Sequence, residues 1–148
     1  MRICRVVVDE ELSFGVLDGL DEHGEIGEQT LVALLDGHPF GGLQPDGRLV
    51  RALDARLIAP VLPSKVIAVD RNHADVPETS PAPQFALKPS TSVIGPNEAI
   101  ALPWQSEDVS ARGELAVVIG RLCRDVPADR VPEVVFGYTC ANDVTARD

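Results

Sequence analysis

Two carboxylates lie beside apolar segments, at positions where they could share a cation. Glu114 precedes the run Leu115 to Ile119, and Asp143 lies in the polar stretch that follows "VFGYTCA". Hard divalent ions such as Mg²⁺ take several oxygen ligands, and two carboxylates at strand ends supply part of that set. Glu107 or Asp108 could assist them. The alternative is that these acids are simply solvated.

Arg112 stands two residues before Glu114 in "SARGELAVVIG". Side chains alternate along a strand, so Arg112 and Glu114 share one face and can pair. The residues alone leave open whether this is a surface ion pair or an altered metal site.

Three further side chains have reactive chemistry. His73 could be a general base, because imidazole titrates near neutrality, or it could simply hydrogen-bond within a loop. Lys88 could bind a carboxylate or phosphate, or lie exposed. Only its residue type favours Cys140 as a nucleophile, since no histidine is near it in the sequence. Neither GxGxxG nor a Walker motif occurs, so nucleotide binding is unsupported.

Residues 1–60 are predicted to form a small α/β module. "RICRVVVDEELSFGVLDG" predicts two strands around an acidic turn. "GEQTLVALLDG" predicts a short helix with Leu31, Leu34 and Leu35 on one face and Gly37 at its end. A Pro-Asp-Gly turn and a closing strand follow in "QPDGRLVRALDARLIAP".

Residues 61–148 are predicted to hold mostly strands. The strand Lys65 to Val69 leads into the polar cluster "RNHAD", and "VPETSPAPQ" forms an extended loop. "FALKPSTSVIGPNEAIALP" predicts two strand segments around a Gly-Pro-Asn turn. After the strand that contains Glu114, a short helical segment has Pro127 early and Gly137 near its end.

Composition and charge exclude several classes. Hydrophobic residues make up 45% of the 148, which favours a packed globular protein. The net charge of -10 disfavours nucleic acid and anionic membranes as partners. Three cysteines without a CxxC motif predict reduced core thiols. We found no membrane-spanning run and no signal-peptide pattern, so the cytoplasm is the expected location.

Four segments, in order and spacing, resemble the fumarylacetoacetate hydrolase family: "LPSKVIAVDRNHAD", "FALKPSTSVIGP", "GELAVVIGR" and "VFGYTCANDVTARD". The resemblance covers most of residues 62–148. It implies a β-rich mixed core, a dimer, and Mg²⁺ or Mn²⁺ held by three carboxylates. The fold class expected is therefore α+β and β-rich, with an incomplete core of this family after the N-terminal module.

The resemblance also implies metal ligands, and one of them is changed. The family's Glu-x-Glu pair reads Arg112-Gly113-Glu114, so Glu114 and Asp143 keep the second and third ligand positions. A guanidinium in place of a carboxylate leaves the three groups with a net charge of -1. We therefore expect severely weakened magnesium binding.

A second departure affects the catalytic base. The family's histidine position is Val76, which cannot move a proton. By resemblance, the catalytic residues expected are Arg71, His73 as the base, and Glu78 near the family's glutamate position. Substrate-binding side chains expected are Lys88, Arg112 and Arg147.

Three functional hypotheses follow. The first is an enzyme that hydrolyses, isomerises or cyclises small 2-oxo or enol acids of the acylpyruvate type. The second is an inactive paralogue that forms a homodimer or associates with a complete family member. The third is a piece of a longer protein, because about half of the family's core has no counterpart here.

Overall fold

The computed structural model describes residues 1–70, 72 and 83–148 and contains mostly β-strands. The chain forms two compact units. The first comprises Met1–Gly37 and Gln44–Glu98, and the second His38–Leu43 and Ala99–Asp148. The predicted β-rich fold class is confirmed. No helix in the described part of the chain is long and apolar enough to cross a membrane.

A five-stranded antiparallel sheet forms most of the first unit. Its strands are β1 (Arg2–Val8), β2 (Glu11–Asp18), β3 (Leu31–Leu35), β4 (Pro45–Arg51) and β5 (Arg56–Ile58). Their spatial order is β4-β3-β2-β1-β5. The predicted hairpin of β1 and β2 is confirmed, and its turn residues Asp9 and Glu10 have φ of 49° and 68°.

The core of this unit lies against one face of the sheet. Alternate residues of β1 and β3, which flank β2, fill it: Cys4 and Val6 from β1 and Val32 and Leu34 from β3, with Ala52 beside them. Gly15 lets β2 approach β3, because a Cβ there would lie 2.3 Å from a methyl carbon of Val32.

The predicted helix over "TLVALLDG" is wrong. Leu31–Leu35 is strand β3, which pairs with β2 and β4. Val32, Leu34 and Leu35 are all buried, so burial in β3 is not confined to alternate residues, and such an apolar run imitates a helical stripe. The predicted Pro-Asp-Gly turn is also part of a strand, because Pro45 begins β4 at a bulge opposite Ala33 and Leu35.

Another antiparallel hairpin of the first unit consists of β6 (Val66–Asp70) and β7 (Gln84–Lys88). It confirms the strand predicted near Lys65. The first of the two strand segments predicted in "FALKPSTSVIGPNEAIALP" is β7, but the second is wrong, because the described residues 98–108 contain no strand. The predicted loop "VPETSPAPQ" lies largely outside the described residues.

The second unit contains one long hairpin, of β8 (Val109–Ile119) and β9 (Val135–Ala146). A 3₁₀ helix, Ala128–Glu133, lies between them. The predicted helical segment is therefore shorter than expected, and Gly137 is within β9. Each helix that the structure describes is a short 3₁₀ helix.

Candidate functional site

The pairing of β8 with β9 determines which side chains meet. Arg112 lies opposite Asp143, and Glu114 lies opposite Ala141. Residues at even positions of β8 are half-buried and those at odd positions from Ala111 to Ile119 are exposed. Arg112, Glu114 and Asp143 therefore share one face of the hairpin, and we call them the charged trio.

The guanidinium of Arg112 lies between the two carboxylates of the trio. Its terminal nitrogen donates to Oδ2 of Asp143 at 3.0 Å, and its Nε lies 3.5 Å from Oε1 of Glu114. The Arg112 and Glu114 side chains are 34% and 27% exposed, and that of Asp143 is 10% exposed. Partial exclusion of water strengthens the attraction between these charges. The charged trio is thus an ion-pair cluster with net charge -1.

A threonine holds the second oxygen of Asp143. The hydroxyl of Thr145 donates to Oδ1 at 3.1 Å, while Arg112 donates to Oδ2. Thr145 lies two residues after Asp143 and so on the same face of β9. Both oxygens of this carboxylate therefore have a donor within the hairpin.

Polar contacts of this hairpin continue past the end of β9. Arg147 donates through Nε to the hydroxyl of Ser110 at 2.7 Å, and its amide donates to the carbonyl of Asp108. The Asp148 carboxylate accepts from the Ser106 hydroxyl and the Glu107 amide, and these bonds lower the pKa of that carboxyl. Glu107 and Asp108, considered above as further ligands, are exposed residues of this segment.

The charged trio does not fit a divalent cation. A cation would need carboxylate oxygens that Arg112 and Thr145 already occupy, and the guanidinium would repel it. Within the described ranges, no group of three or more His, Cys, Asp or Glu side chains could hold a metal ion.

The other predicted site residues lie elsewhere or outside the description. Lys88 ends β7 in the first unit and is half-buried. Arg71, His73 and Glu78 lie outside the described residues, as does Val76. Their proposed roles stay predictions.

A shallow cavity of about 330 Å³ lies in the segment that links β8 to β9. Its lining runs from Arg121 to Pro127 and includes Arg130, Glu133 and Val134. None of the charged trio lines it, so it does not mark the site that the sequence predicts.

Sequence reasoning missed two features of the site. The spacing indicated that Arg112 can pair with Glu114, and the structure adds a shorter contact across the hairpin to Asp143. The hydroxyls of Ser110 and Thr145 were not recognised as partners. The period-two spacing of Asp143, Thr145 and Arg147 is the signal that could have revealed one polar face.

Two family models match the chain. One is described as fumarylacetoacetate (FAA) hydrolase C-terminal and matches residues 63–148. The other, described as Rv2993c-like, N-terminal, matches residues 1–60.

Relatives and solved structures agree with these matches. Protein Rv2993c of Mycobacterium tuberculosis is 45% identical over the whole chain, which covers 57% of that protein. Mitochondrial oxaloacetate tautomerase fahd2 of Xenopus laevis is 31% identical, over 86% of the chain and 39% of its own length.

A crystal structure of 5-carboxymethyl-2-hydroxymuconate delta-isomerase from Mycobacterium smegmatis superposes with a TM-score of 0.89. It is 43% identical, and the match covers all of this chain and 56% of that one. The chain thus spans little more than half of Rv2993c and of this isomerase.

Proposed function

Because the chain belongs to the fumarylacetoacetate hydrolase family, we propose that it acts on small 2-oxo or enol acids by isomerase-type proton transfer. The similarity to an isomerase over the whole chain and to an oxaloacetate tautomerase favours this reaction class over carbon-carbon hydrolysis. The observation that carries the proposal is the half-buried charged trio on the face where the family's ligand positions fall.

The reaction needs a base, a cation and a position for the acid group. A base takes a proton from the carbon beside the keto group, the C–H electron pair forms a C=C bond, and the carbonyl pair moves onto oxygen. Return of the proton to that oxygen gives the enol, and its return to a distant carbon gives the isomer. The guanidinium of Arg112 would stabilise the developing enolate charge.

The remaining roles follow the sequence predictions. His73 and Glu78 are the proposed proton carriers, and Arg71 is the third proposed catalytic residue. Lys88 and Arg147 are the proposed partners of the substrate's carboxylate, because ammonium and guanidinium groups form strong hydrogen bonds to carboxylates. No step is assigned to Mg²⁺ or Mn²⁺, because the charged trio does not fit either ion. The cytoplasm is the proposed location, which cell fractionation tests.

A panel of 2-oxo acids that includes oxaloacetate tests the proposal, with enol formation followed by ultraviolet absorbance. We expect turnover of at least one acid and its loss in Glu114→Ala, which keeps its fold by circular dichroism. Glu107→Ala is the matched control, since Glu107 is an exposed acid of the same unit. No turnover on any acid of the panel would contradict the proposal.

A second candidate function is association, and one exposed face favours it. On the side of the β8–β9 hairpin opposite the charged trio, Leu115, Val117 and Tyr138 are all exposed. Val117 pairs with Tyr138 in the register, so these side chains form one apolar surface. Contiguous exposed apolar surface is typical of protein interfaces.

In this candidate function the chain is an inactive paralogue that pairs with itself or with a complete family member. Sedimentation velocity of the chain alone and mixed with the M. smegmatis isomerase tests it. We expect a homodimer or a mixed complex. A strictly monomeric species in both samples would exclude this candidate.

A further inference from the structure

The charged trio has the arrangement of a filled cation site, with a side chain as the cation. Two carboxylates converge on one positive group, which lies 3.0 Å from Asp143 and 3.5 Å from Glu114. Asp143 is fixed by two donors and is nearly enclosed. Such convergence on a half-buried positive charge differs from a solvated acidic surface, where each carboxylate would face water.

The positive charge of Arg112 is retained over the pH range in which proteins are stable. A guanidinium stays protonated far above neutral pH, so it neither leaves by dilution nor is removed by chelation. It also presents its donors in a fixed plane suited to carboxylates. An ion that competes for Glu114 and Asp143 must therefore displace the guanidinium of Arg112, which is attached to the chain.

We infer that Arg112 takes the place of the divalent cation, so that the carboxylates of Glu114 and Asp143 are organised without Mg²⁺ or Mn²⁺. The carboxylates of Glu114 and Asp143 supply part of the oxygen set that a hard cation needs, and the Arg112 guanidinium lies where that cation would lie. The inference is independent of the proposed reaction, because it concerns the binding of ions and applies equally to an inactive paralogue.

Titration calorimetry with MnCl₂ and MgCl₂ tests this inference on the full chain. The wild type should give no saturable heat at millimolar ion. Arg112→Glu changes the trio's net charge from -1 to -3 and should bind Mn²⁺ on the order of a hundredfold tighter, with Glu114→Ala in the same background abolishing the gain. The water-proton relaxation of Mn²⁺ gives a second readout of the same binding.

Arg124→Glu is the matched control. It makes the same charge reversal in the same unit, at a side chain that is 92% exposed and paired only locally with Asp125 at 3.3 Å. If it gains Mn²⁺ binding as Arg112→Glu does, the gain reflects net charge and the inference is wrong. If only Arg112→Glu gains binding, the position of the guanidinium is responsible.

Two further outcomes would overturn the inference. One is saturable Mg²⁺ or Mn²⁺ binding by the wild type that is lost in Glu114→Ala. The other is a folded Arg112→Glu variant that binds no ion. If Arg112→Glu does not fold, Arg112→Gln serves instead, because its amide oxygen can act as a ligand and it adds no negative charge. Mn²⁺ binding by Arg112→Gln supports the inference, and its absence contradicts it.

These results separate the inference from the proposed function. If the wild type turns over 2-oxo acids and binds Mn²⁺, the proposed function is supported and the inference is wrong. If the wild type shows neither turnover nor ion binding and Arg112→Glu binds Mn²⁺, the proposed function is wrong and the inference is supported.

Discussion

Asp143 is the most enclosed member of the charged trio, and two donors of different kinds fix it. The Arg112 guanidinium compensates its charge, and the Thr145 hydroxyl fixes the rotation of the carboxylate. A carboxylate that is 10% exposed has lost most of its water, so each protein donor replaces hydration that the folded state no longer supplies. Removal of either donor should therefore cost more than at an exposed site.

Thr145→Val tests the contribution of the hydroxyl. Valine keeps the shape of threonine and removes the donor, so we expect the free energy of unfolding to fall by about 1–2 kcal/mol. Urea denaturation followed by circular dichroism measures it. Thr139→Val is the control, because Thr139 is a half-buried residue on the same face of β9 whose hydroxyl makes only a 3.4 Å contact to a neighbouring carbonyl. Equal losses in both variants would show that the bond to Asp143 has no special weight.

The cysteines differ in environment, contrary to the expectation of three core thiols. Cys4 is buried, whereas Cys123 and Cys140 are exposed. Burial raises the pKa of the Cys4 thiol to about 11, because the thiolate would lose its hydration. The thiolate is the reactive form of cysteine, so the burial of Cys4 and its raised pKa both lower its reactivity.

Thiol titration with a disulfide reagent at pH 8 should therefore modify Cys123 and Cys140 rapidly and Cys4 only after denaturant is added.

The raised pKa of Cys4 also determines the direction in which the stability of the protein changes with pH. The contribution of the protonated Cys4 thiol is fully present below the ordinary thiol pKa and is lost as pH rises toward 11. Cys4→Ala should remove that alkaline loss. Rapid modification of three thiols in the native protein would contradict the burial of Cys4.

Strand periodicity was enough to predict some elements and misled at others. In β8 the alternation of Arg112 and Glu114 predicted a shared face correctly, because one side of the hairpin is polar. In β3, residues on both faces are apolar, so the period of two disappears and Leu31, Leu34 and Leu35 resemble a helical stripe. The pairing of Asp143 with Arg112 depends on the register between β8 and β9, which short-range spacing does not specify.

β3 should carry much of the stability of the first unit. Leu34 is fully buried between neighbouring strands, so Leu34→Ala should lower the free energy of unfolding by about 2–5 kcal/mol through lost burial and a cavity. Leu49→Ala in β4 is the matched control. Leu49 is 67% exposed, so this substitution should lower the free energy of unfolding by less than about 0.5 kcal/mol. Thermal and urea unfolding measure both. Similar losses in the two variants would argue against the predominance of the β3 core.

At the scale of the whole molecule, the net charge and the exposed apolar surface have opposite effects. A net charge of -10 keeps copies of the chain apart at low ionic strength. Both units nevertheless expose apolar side chains on hairpins, Leu115 and Tyr138 in the second and Phe85 and Leu87 in the first. The balance should shift toward association as salt screens the charge.

The β6–β7 hairpin allows this balance to be tested. The register pairs Ile67 with Leu87 and Val69 with Phe85, so these four exposed side chains share one face of the hairpin. Replacing Phe85 and Leu87 together, by Glu and Lys, should reduce association measured by sedimentation velocity in 0.5 M NaCl and lower the binding of a hydrophobic dye. The replaced side chains are 72% and 75% exposed, so the fold should be retained.

Leu12→Lys provides the comparison, because Leu12 is 63% exposed on β2, outside that hairpin. It should leave both association and dye binding near the wild-type values. If the double variant and Leu12→Lys associate alike, the hairpin face is not the contact surface, and the surface at Leu115 and Tyr138 becomes the one to alter next. Association that weakens when salt is added would instead mean that ion pairs between copies hold them together, because screening weakens charge attraction and leaves apolar burial intact.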